Sequence, residues 1–152
     1  MWRIERERKQ LIKARHLATL TLATIILLSV AACTLPGLPT GDPLKGTSWR
    51  LVTLGGAGLI PGSQITATFE DGQVHGSAGC NSYGGSYKVS GDKITLSDLY
   101  MTEMACLDPQ GVMEQERQYL EMLGMAQTFK LSGGQLQVFS AGGEVLTFLA
   151  AS

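Results

Sequence analysis

The chain has 152 residues, 44% of them hydrophobic, and a formal net charge of −1 at pH 7. Six of its twelve basic residues lie within the first 16 positions, and the other six are scattered along the rest of the chain. Because binding to nucleic acid needs grouped Lys and Arg side chains to neutralise phosphates, the scattered basic residues from Cys33 onward argue against a nucleic-acid partner. The length after the N-terminal segment suffices for one domain with one core.

The first 32 residues have the pattern of a bacterial secretion signal. Residues 1–16 carry six basic and two acidic side chains, and residues 17–32 are uncharged and mostly apolar. This apolar run of 16 residues is shorter than the roughly 20 that a membrane-spanning helix needs. We therefore interpret residues 1–32 as a signal peptide that exports the rest of the chain.

The signal ends in Val30-Ala31-Ala32-Cys33, which resembles the lipobox of bacterial lipoproteins. The two alanines fit a peptidase pocket that excludes bulky side chains, and the thiol of Cys33 is the nucleophile that lipid transfer requires. The resemblance implies cleavage before Cys33 and lipid attachment to this residue. The alternatives are an ordinary secretory signal and an uncleaved anchor, and each of them also exports the domain.

Residues 33–43 are predicted to form a lipidated tether, because they are rich in proline and glycine and lack periodicity. In envelopes with two membranes, an aspartate directly after the lipidated cysteine commonly retains lipoproteins at the inner membrane. Residue 34 is a threonine, which is compatible with the outer membrane. We expect a domain held by lipid at a bacterial cell membrane, on its periplasmic or extracellular face, with a net charge of −5 from Cys33 onward.

Residues 44–150 follow as one β-rich domain. Turn signals recur between short runs of strand-forming residues, at Asp71-Gly72, Ser90-Gly91-Asp92, Ser132-Gly133-Gly134 and Ala141-Gly142-Gly143. Ile65, Ala67 and Phe69 alternate with threonines, which is typical of a strand with one buried face. Further strands are predicted at residues 48–54, 73–77, 86–89, 93–96, 99–104, 128–131, 135–139 and 144–149.

One segment of this domain has helical spacing instead. Asp108-Pro109 predicts a helix N-terminus, and Gly124 predicts its end. The apolar residues between them recur at near-helical intervals, at Val112, Met113, Tyr119, Leu120 and Leu123. The predicted fold class is therefore α+β, with one helix packed on a curved antiparallel sheet or a small β-barrel.

Four short motifs occur in order along residues 44–150. They are Thr47-Ser48-Trp49-Arg50-Leu51, Gly79-Cys80-Asn81-Ser82-Tyr83, Met101-Thr102-Glu103-Met104-Ala105-Cys106, and Glu114-Gln115-Glu116 leading to Leu120. In sequence and order they resemble the META domain of HslJ-type bacterial lipoproteins. The resemblance implies a small exported β-rich domain, linked in some members to heat or antibiotic stress, with no agreed enzymatic activity.

Cys80 and Cys106 are the two thiols that remain once Cys33 is acylated, and in an exported domain such a pair is predicted to form a disulfide. The bridge would close a loop with 25 residues between its ends, worth about 3 to 4 kcal/mol in the chain-entropy model. The alternative is a redox or metal-binding thiol pair, although no Cys-x-x-Cys motif lowers the pKa of either thiol.

Several other side chains bear on metal binding and catalysis. Methionine thioethers are suitable ligands for Cu(I). Methionines also fill irregular cores, and we prefer this role for the five that lie near or after Cys106: Met101, Met104, Met113, Met122 and Met125. His75 is the only histidine after Cys33, which disfavours a zinc site and a Ser-His-Asp triad. We therefore predict no catalytic residue, metal site or cofactor.

The glutamates of the predicted helix and the polar residues near Cys80 have structural interpretations. Glu114 and Glu121 share one helix face, and a solvent-exposed face is a simpler explanation for them than catalysis. Nothing in the sequence pairs these glutamates or Glu116 with a nucleophile. Asn81 is expected to shape a turn. The pair Gly84-Gly85 is expected to permit a bend or bulge, since no phosphate-binding motif follows it.

The sequence thus predicts a non-enzymatic, membrane-anchored envelope lipoprotein that binds a protein or an envelope component in a stress response. One alternative is a barrel that binds a small apolar molecule in an interior lined by Trp49, Phe69 and Phe148. Another is an inhibitor of a cell-wall hydrolase, which would present a loop to the active site of the enzyme.

Overall fold

A computed structural model describes residues 41–151 of the chain. The predicted signal peptide, the lipid attachment at Cys33 and most of the predicted tether lie outside the described residues. Within residues 41–151, no helix is both long and apolar enough to span a bilayer.

The strands close into an antiparallel barrel. Their order is β2-β1-β3-β4-β5-β6-β7-β8-β9, and β1 also pairs with β9, so that eight strands form the closed sheet while the two-residue β2 pairs with the end of β1. The elements are β1 (Thr47–Leu54), β2 (Ala57–Gly58), β3 (Thr66–Glu70), β4 (Gln73–Ser77), β5 (Ser82–Ser90), β6 (Lys93–Met101), α1 (Val112–Gly124), β7 (Ala126–Ser132), β8 (Gln135–Ser140) and β9 (Val145–Ala150). The barrel with its single helix confirms the predicted fold class and selects the closed form over the open sheet.

Alternation along each strand fills the interior of the barrel. In β3, Ala67 and Phe69 are buried while Thr66 and Thr68 are half-buried, as their alternation predicts. All eight strands of the closed sheet contribute apolar side chains to one core, among them Leu51, Val74, Tyr83, Ile94, Phe129, Val138 and Phe148. The core therefore occupies the space that a larger barrel would leave open.

Helix α1 begins at Val112, later than Asp108-Pro109 predicts. Gly111, in the left-handed conformation with φ 84°, precedes the first turn, and no side chain caps it. The first helical hydrogen bond runs from the Gln115 N–H to the Gly111 carbonyl, so Asp108 lies before the helix rather than at its cap. The predicted end at Gly124 is confirmed.

The buried face of α1 is partly polar. It carries Val112, Gln115, Glu116, Tyr119, Met122 and Leu123. Tyr119 makes edge contacts with Tyr83 of β5 and Phe148 of β9, at ring-centroid distances of 5.5 and 6.4 Å. Met113 is 43% exposed, so the prediction that it belongs to the apolar stripe is wrong: it is the residue directly after Val112 and points away from the core.

The two strands predicted at 93–96 and 99–104 are one strand with a bulge. The register between β5 and β6 shifts between Gly84 and Ser86, and Asp98 opposite this shift has a φ of 54°. This confirms the bulge expected at Gly84-Gly85, and β5 extends through both glycines back to Ser82.

The strand β6 ends at Met101, so the prediction of strand structure up to residue 104 is wrong. The physical reason is a competing side chain. The hydroxyl of Thr102 and the backbone N–H of Met104 both donate hydrogen bonds to the Oδ1 atom of Asn81, which turns the chain away from the sheet.

The barrel has one thin seam, between β6 and β7. Strand β6 pairs with β5 at seven positions but with β7 only through Lys93 and Thr128, next to a hydrogen bond from the Phe129 N–H to the Asp92 carbonyl. The chain between these two strands contains α1, whose Gly124 lies against Leu99 of β6. The helix thus occupies the place where the two strands separate.

Candidate functional site

A disulfide joins Cys80 and Cys106, as predicted, with their Cα atoms 5.9 Å apart. Cys80 lies in the turn between β4 and β5, and Cys106 lies in the segment between β6 and α1. We call residues 102–111 the strap. The bridge attaches the strap to the turn of the β4–β5 hairpin.

Asn81 is the centre of the polar contacts beside this bridge. Its side chain is buried, and its Oδ1 atom accepts hydrogen bonds from the Thr102 hydroxyl and the Met104 N–H, at 2.8 and 2.7 Å. Its Nδ2 atom donates to the Met104 carbonyl and to Glu116 Oε1, at 3.2 and 2.8 Å. All four hydrogen-bonding positions of the amide are therefore used. The turn role expected for Asn81 extends to the strap and to α1.

Glu116 supplies the acceptor that the turn needs. Only 2% of it is exposed, and its Oε2 atom accepts hydrogen bonds from the backbone N–H groups of Asn81 and Cys80, at 2.6 and 3.2 Å. A buried carboxylate is costly unless such donors surround it. Three donors at this one side chain therefore fix the β4–β5 turn to α1.

This role of Glu116 was not predicted from the sequence. The signal was its position: it follows Val112 by four residues and precedes Tyr119 by three, which places it on the buried stripe. Glu114 and Glu121 are exposed, as predicted, and both contact Arg117, at 2.5 and 3.4 Å. The guanidinium of Arg117 lowers the pKa of Glu114, through a hydrogen bond and charge attraction.

Gln115 of α1 holds a second backbone segment, the loop that contains Ile60 and Ser63. Its Oε1 atom accepts a hydrogen bond from the Ile60 N–H at 2.7 Å, and its Nε2 atom donates to Ser63 Oγ at 2.6 Å. Across the described residues, every buried side-chain nitrogen and oxygen has a hydrogen-bond partner. The polar groups of this region are therefore engaged in holding backbone segments together.

Three of the four sequence motifs meet at this point. Asn81 brings the Gly-Cys-Asn turn, Met104 brings the strap, and Glu116 brings the helix. The fourth motif lies apart on β1, where Trp49 is buried and donates its indole N–H to the Thr47 hydroxyl at 2.7 Å.

His75 is exposed on β4. Among residues 41–151, no three His, Cys, Asp or Glu side chains are grouped to hold a metal ion.

The methionines depart from the core-filling role preferred for them. Met122 alone of the five is buried, and the others are 40 to 55% exposed, at Met101, Met104, Met113 and Met125. Met101 is the last residue of β6, and Met104 lies on the strap. The sulfur-rich positions near Cys106 are thus largely at the surface.

Large apolar side chains are exposed around the strap. We call five of them the apolar surface: Tyr100, Met101, Met104, Leu107 and Met113. Leu107 is 91% exposed and Tyr100 is 69% exposed. Met101 and Met113 also line a groove of about 450 Å³ together with Leu120, and Glu114 and Arg117 stand at its side. Large apolar side chains that are grouped on a surface commonly mark an interaction site, and of these five Met101 and Met113 share the groove.

Known proteins resemble this chain in sequence and structure. Residues 42–152 match the family model of the META domain. An NMR structure of a protein from Burkholderia xenovorans has 28% identity and a TM-score of 0.58, over 72% of this chain and 84% of that one. A second NMR structure has 28% identity and a TM-score of 0.57, over 70% and 90%.

A crystal structure of a DUF4847 family protein from Bacteroides vulgatus ATCC 8482 shares the fold, at 12% identity and a TM-score of 0.51, over 72% of this chain and 95% of that one. No curated protein matches the chain. The family match covers the barrel, its helix and the disulfide-linked strap. The chain therefore belongs to the META-domain family.

Proposed function

We propose that this META-domain protein is a lipid-anchored component of the bacterial cell envelope that binds a protein partner and performs no catalysis. The observation that carries the proposal is the apolar surface, and above all Leu107, whose side chain is 91% exposed. Folded domains rarely expose large contiguous apolar patches, and such patches commonly mark a contact with another protein.

The rigidity of the strap supports the same proposal. The disulfide holds it at Cys106, and Asn81 holds it at Thr102 and Met104. A segment that is already fixed before binding loses less conformational entropy when a partner binds. The buried polar groups thus prepare a surface, and Glu116 and Asn81 have their hydrogen-bonding capacity committed to backbone and to each other.

The membrane anchor in this proposal rests on Val30-Ala31-Ala32-Cys33 and the apolar run before it. Gly41 lies eight positions after Cys33, a distance of at most about 30 Å along an extended chain. The partner would therefore lie at or near the membrane surface. A role in envelope stress is supported by the likeness of the motifs to HslJ-type lipoproteins.

A second candidate function is inhibition of a cell-wall hydrolase. It is favoured by Leu107, because an exposed apolar side chain on a braced loop is a suitable plug for an active-site cleft. The small-ligand alternative has less support. Trp49, Phe69 and Phe148 are buried in one packed core with Tyr119, which leaves their surfaces in contact with other side chains.

The partner can be sought by photo-crosslinking in the native envelope. A benzophenone amino acid at Leu107 tests the apolar surface, and the same residue at His75, exposed on β4, is the control. We expect a reproducible protein adduct from position 107, more abundant under heat or antibiotic stress. The same products from both positions, or none from position 107, would contradict the proposal.

The anchor has its own test. Intact-mass analysis of the membrane-extracted protein should show the loss of residues 1–32 and acylation of Cys33. An unmodified Cys33 would exclude the lipid anchor without affecting the crosslinking result.

A further inference from the structure

We propose that the outer face of strands β4, β5 and β6 binds a neutral polysaccharide chain and stacks one of its sugar rings on Tyr100. This site is separate from the protein contact proposed for the strap. It assigns a second class of ligand to another face of the barrel.

Tyr100 lies on the outer side of β6. It is directly opposite Gly84, whereas the next residue, Met101, is opposite Tyr83, which is buried in the core. Because successive side chains of a strand point to opposite faces, Tyr100 and Met101 lie on different sides of β6. The ring of Tyr100 is therefore apart from the groove that Met101 lines with Met113.

The backbone of Gly84 supports this ring. A Cβ atom at Gly84 would lie 2.5 Å from the hydroxyl oxygen of Tyr100 and 2.6 Å from the ring carbon that bears it. Gly84 faces outward but is buried, because the ring covers it. Tyr100 is nevertheless 69% exposed, so the side of the ring that turns away from Gly84 faces solvent.

Uncharged polar side chains surround the ring. His75 of β4 is opposite Gly84, and the neighbouring row on the same face consists of Gln73, Ser86 and Ser97. Each of these four side chains is exposed or half-buried. We call them, together with Tyr100, the platform. It offers hydroxyl, amide and imidazole groups that can donate or accept hydrogen bonds.

The chemistry of the platform selects its occupant. The domain has a net charge of −5 from Cys33 onward, but no side chain of the platform is a carboxylate, an amine or a guanidinium. The charged neighbours stand at its borders, at Glu70, Lys88 and Asp98. A neutral sugar matches this surface, because its C–H groups pack on the electron-rich face of an aromatic ring and its hydroxyls bond to the polar groups beside it.

The spacing of the strands fits a chain of sugars. Neighbouring strands lie about 4.8 Å apart, so Tyr100 and His75 are separated by about 10 Å across Gly84. This distance is close to the length of a disaccharide unit. One sugar ring can therefore stack on Tyr100 while the next contacts His75.

The proposal can be tested by NMR on the isotope-labelled full chain, in micelles of a detergent without a sugar headgroup. The probe is chitohexaose, a neutral oligomer of N-acetylglucosamine, and hexaethylene glycol is the control, since it is neutral but lacks sugar rings. We expect saturable shifts at His75, Gly84 and Tyr100 with chitohexaose alone. Equal shifts with both compounds, or no shift at these residues at tens of millimolar chitohexaose, would overturn the proposal. Shifts there that rise with protein concentration without sugar would also overturn it, in favour of contact between two copies.

Variants of Tyr100 test the stacking. Tyr100→Ala removes the ring and should weaken binding of chitohexaose about tenfold. Tyr100→Phe loses only the hydroxyl that lies on Gly84, so the affinity should stay within about threefold of the native value. The control Leu131→Ala, at an exposed position of β7, should leave the affinity unchanged. Native affinity in Y100A, or equal losses in Y100A and Y100F, would overturn the proposal.

Gly84→Ala tests the support of the ring. A methyl group at this position displaces the ring of Tyr100, so binding should weaken about fivefold although Tyr100 itself is unchanged. Native affinity in this variant would overturn the proposed geometry. Because the probe is a sugar, these results are independent of the protein partner sought at Leu107.

Discussion

The carboxylate of Glu116 on α1 accepts hydrogen bonds from both the backbone N–H and the side-chain amide of Asn81, at 2.6 and 2.8 Å. These two residues are 35 positions apart in the chain, and their contact joins the helix to the turn that carries Cys80. The same Asn81 side chain orients Thr102 and Met104. One buried pair therefore determines how the strap is presented to solvent.

The buried contact of Glu116 predicts that Glu116 and Glu114, on the same helix, contribute unequally to the free energy of unfolding. Glu116→Gln keeps the shape but loses the charge and turns an N–H₂ group toward hydrogen-bond donors. Because charged hydrogen bonds are involved, we expect a loss of about 2 to 3 kcal/mol in the free energy of unfolding. Glu114→Gln, at an exposed position, should have a much smaller effect, because solvent screens its contact with Arg117. Urea unfolding measures both, and equal losses would contradict the role assigned to Glu116.

The disulfide is predicted to stabilise the domain by limiting its unfolded chain. The double variant Cys80→Ala with Cys106→Ala should lower the free energy of unfolding by about 3 kcal/mol. Denaturant unfolding of this variant should match that of the reduced native protein, which serves as the control. Labelling of two reactive thiols in the denatured, unreduced native protein would exclude the bridge.

The paired phenols of Tyr83 and Tyr119 predict a loss of stability at alkaline pH. Their hydroxyls are 2.7 Å apart, and burial raises the pKa of both. The folded state therefore retains protons that the unfolded state releases above about pH 10. Stability from these groups is complete below that pH and decreases as the pH rises further.

Tyr119→Phe tests this interpretation, because it removes one of the two buried phenols. The dependence of unfolding free energy on pH above 10, measured by urea unfolding, should become shallower in this variant than in the native protein. An identical slope in the native protein and the Tyr119 variant would show that the phenol ionises as readily in the folded state as in the unfolded one.

Two glycines in neighbouring strands differ in what a methyl group would meet. At Gly76, a Cβ atom would lie 2.1 Å from the backbone carbonyl oxygen of Thr66, so the strands themselves must move. At Gly84, the nearest atoms belong to the ring of Tyr100, an exposed side chain that can swing away. We expect Gly76→Ala to cost about 2 kcal/mol or more and Gly84→Ala less than about 1 kcal/mol. Thermal unfolding measures both losses, and a larger loss for Gly84→Ala than for Gly76→Ala would contradict this prediction.

Local patterns predicted most of the strands. The alternation of Ile65, Ala67 and Phe69 and the glycine-containing turns depend on neighbours in the chain, and the structure has strands and turns at those places. The helix start was misplaced because Gly111, and not Asp108, sets the conformation before the first turn. Strand β6 ends before residue 104 because the side chain of Asn81 accepts hydrogen bonds from the Thr102 hydroxyl and the Met104 N–H in place of a neighbouring strand.

The site itself depended on contacts that no local pattern contains. The pairing of Glu116 with Asn81 appears only when the helix is laid across the barrel, and burial of the methionines depends on which side of each element faces the core. Residues such as Met101 and Met113 have the composition of core residues, but the strap and the β6–β7 seam leave them at the surface. The strands, the helix and the disulfide could thus be predicted from the sequence, and the exposed apolar surface could not.

The most direct test of partner binding is affinity purification of the full chain from its native envelope, with quantitative mass spectrometry of what it retains. Leu107→Asp alters the apolar surface, and Leu131→Asp changes an exposed leucine on β7 as the control. We expect a protein that the native chain and the Leu131 variant retain and that is at least tenfold less abundant with the Leu107 variant. Identical retained proteins for all three chains would contradict it.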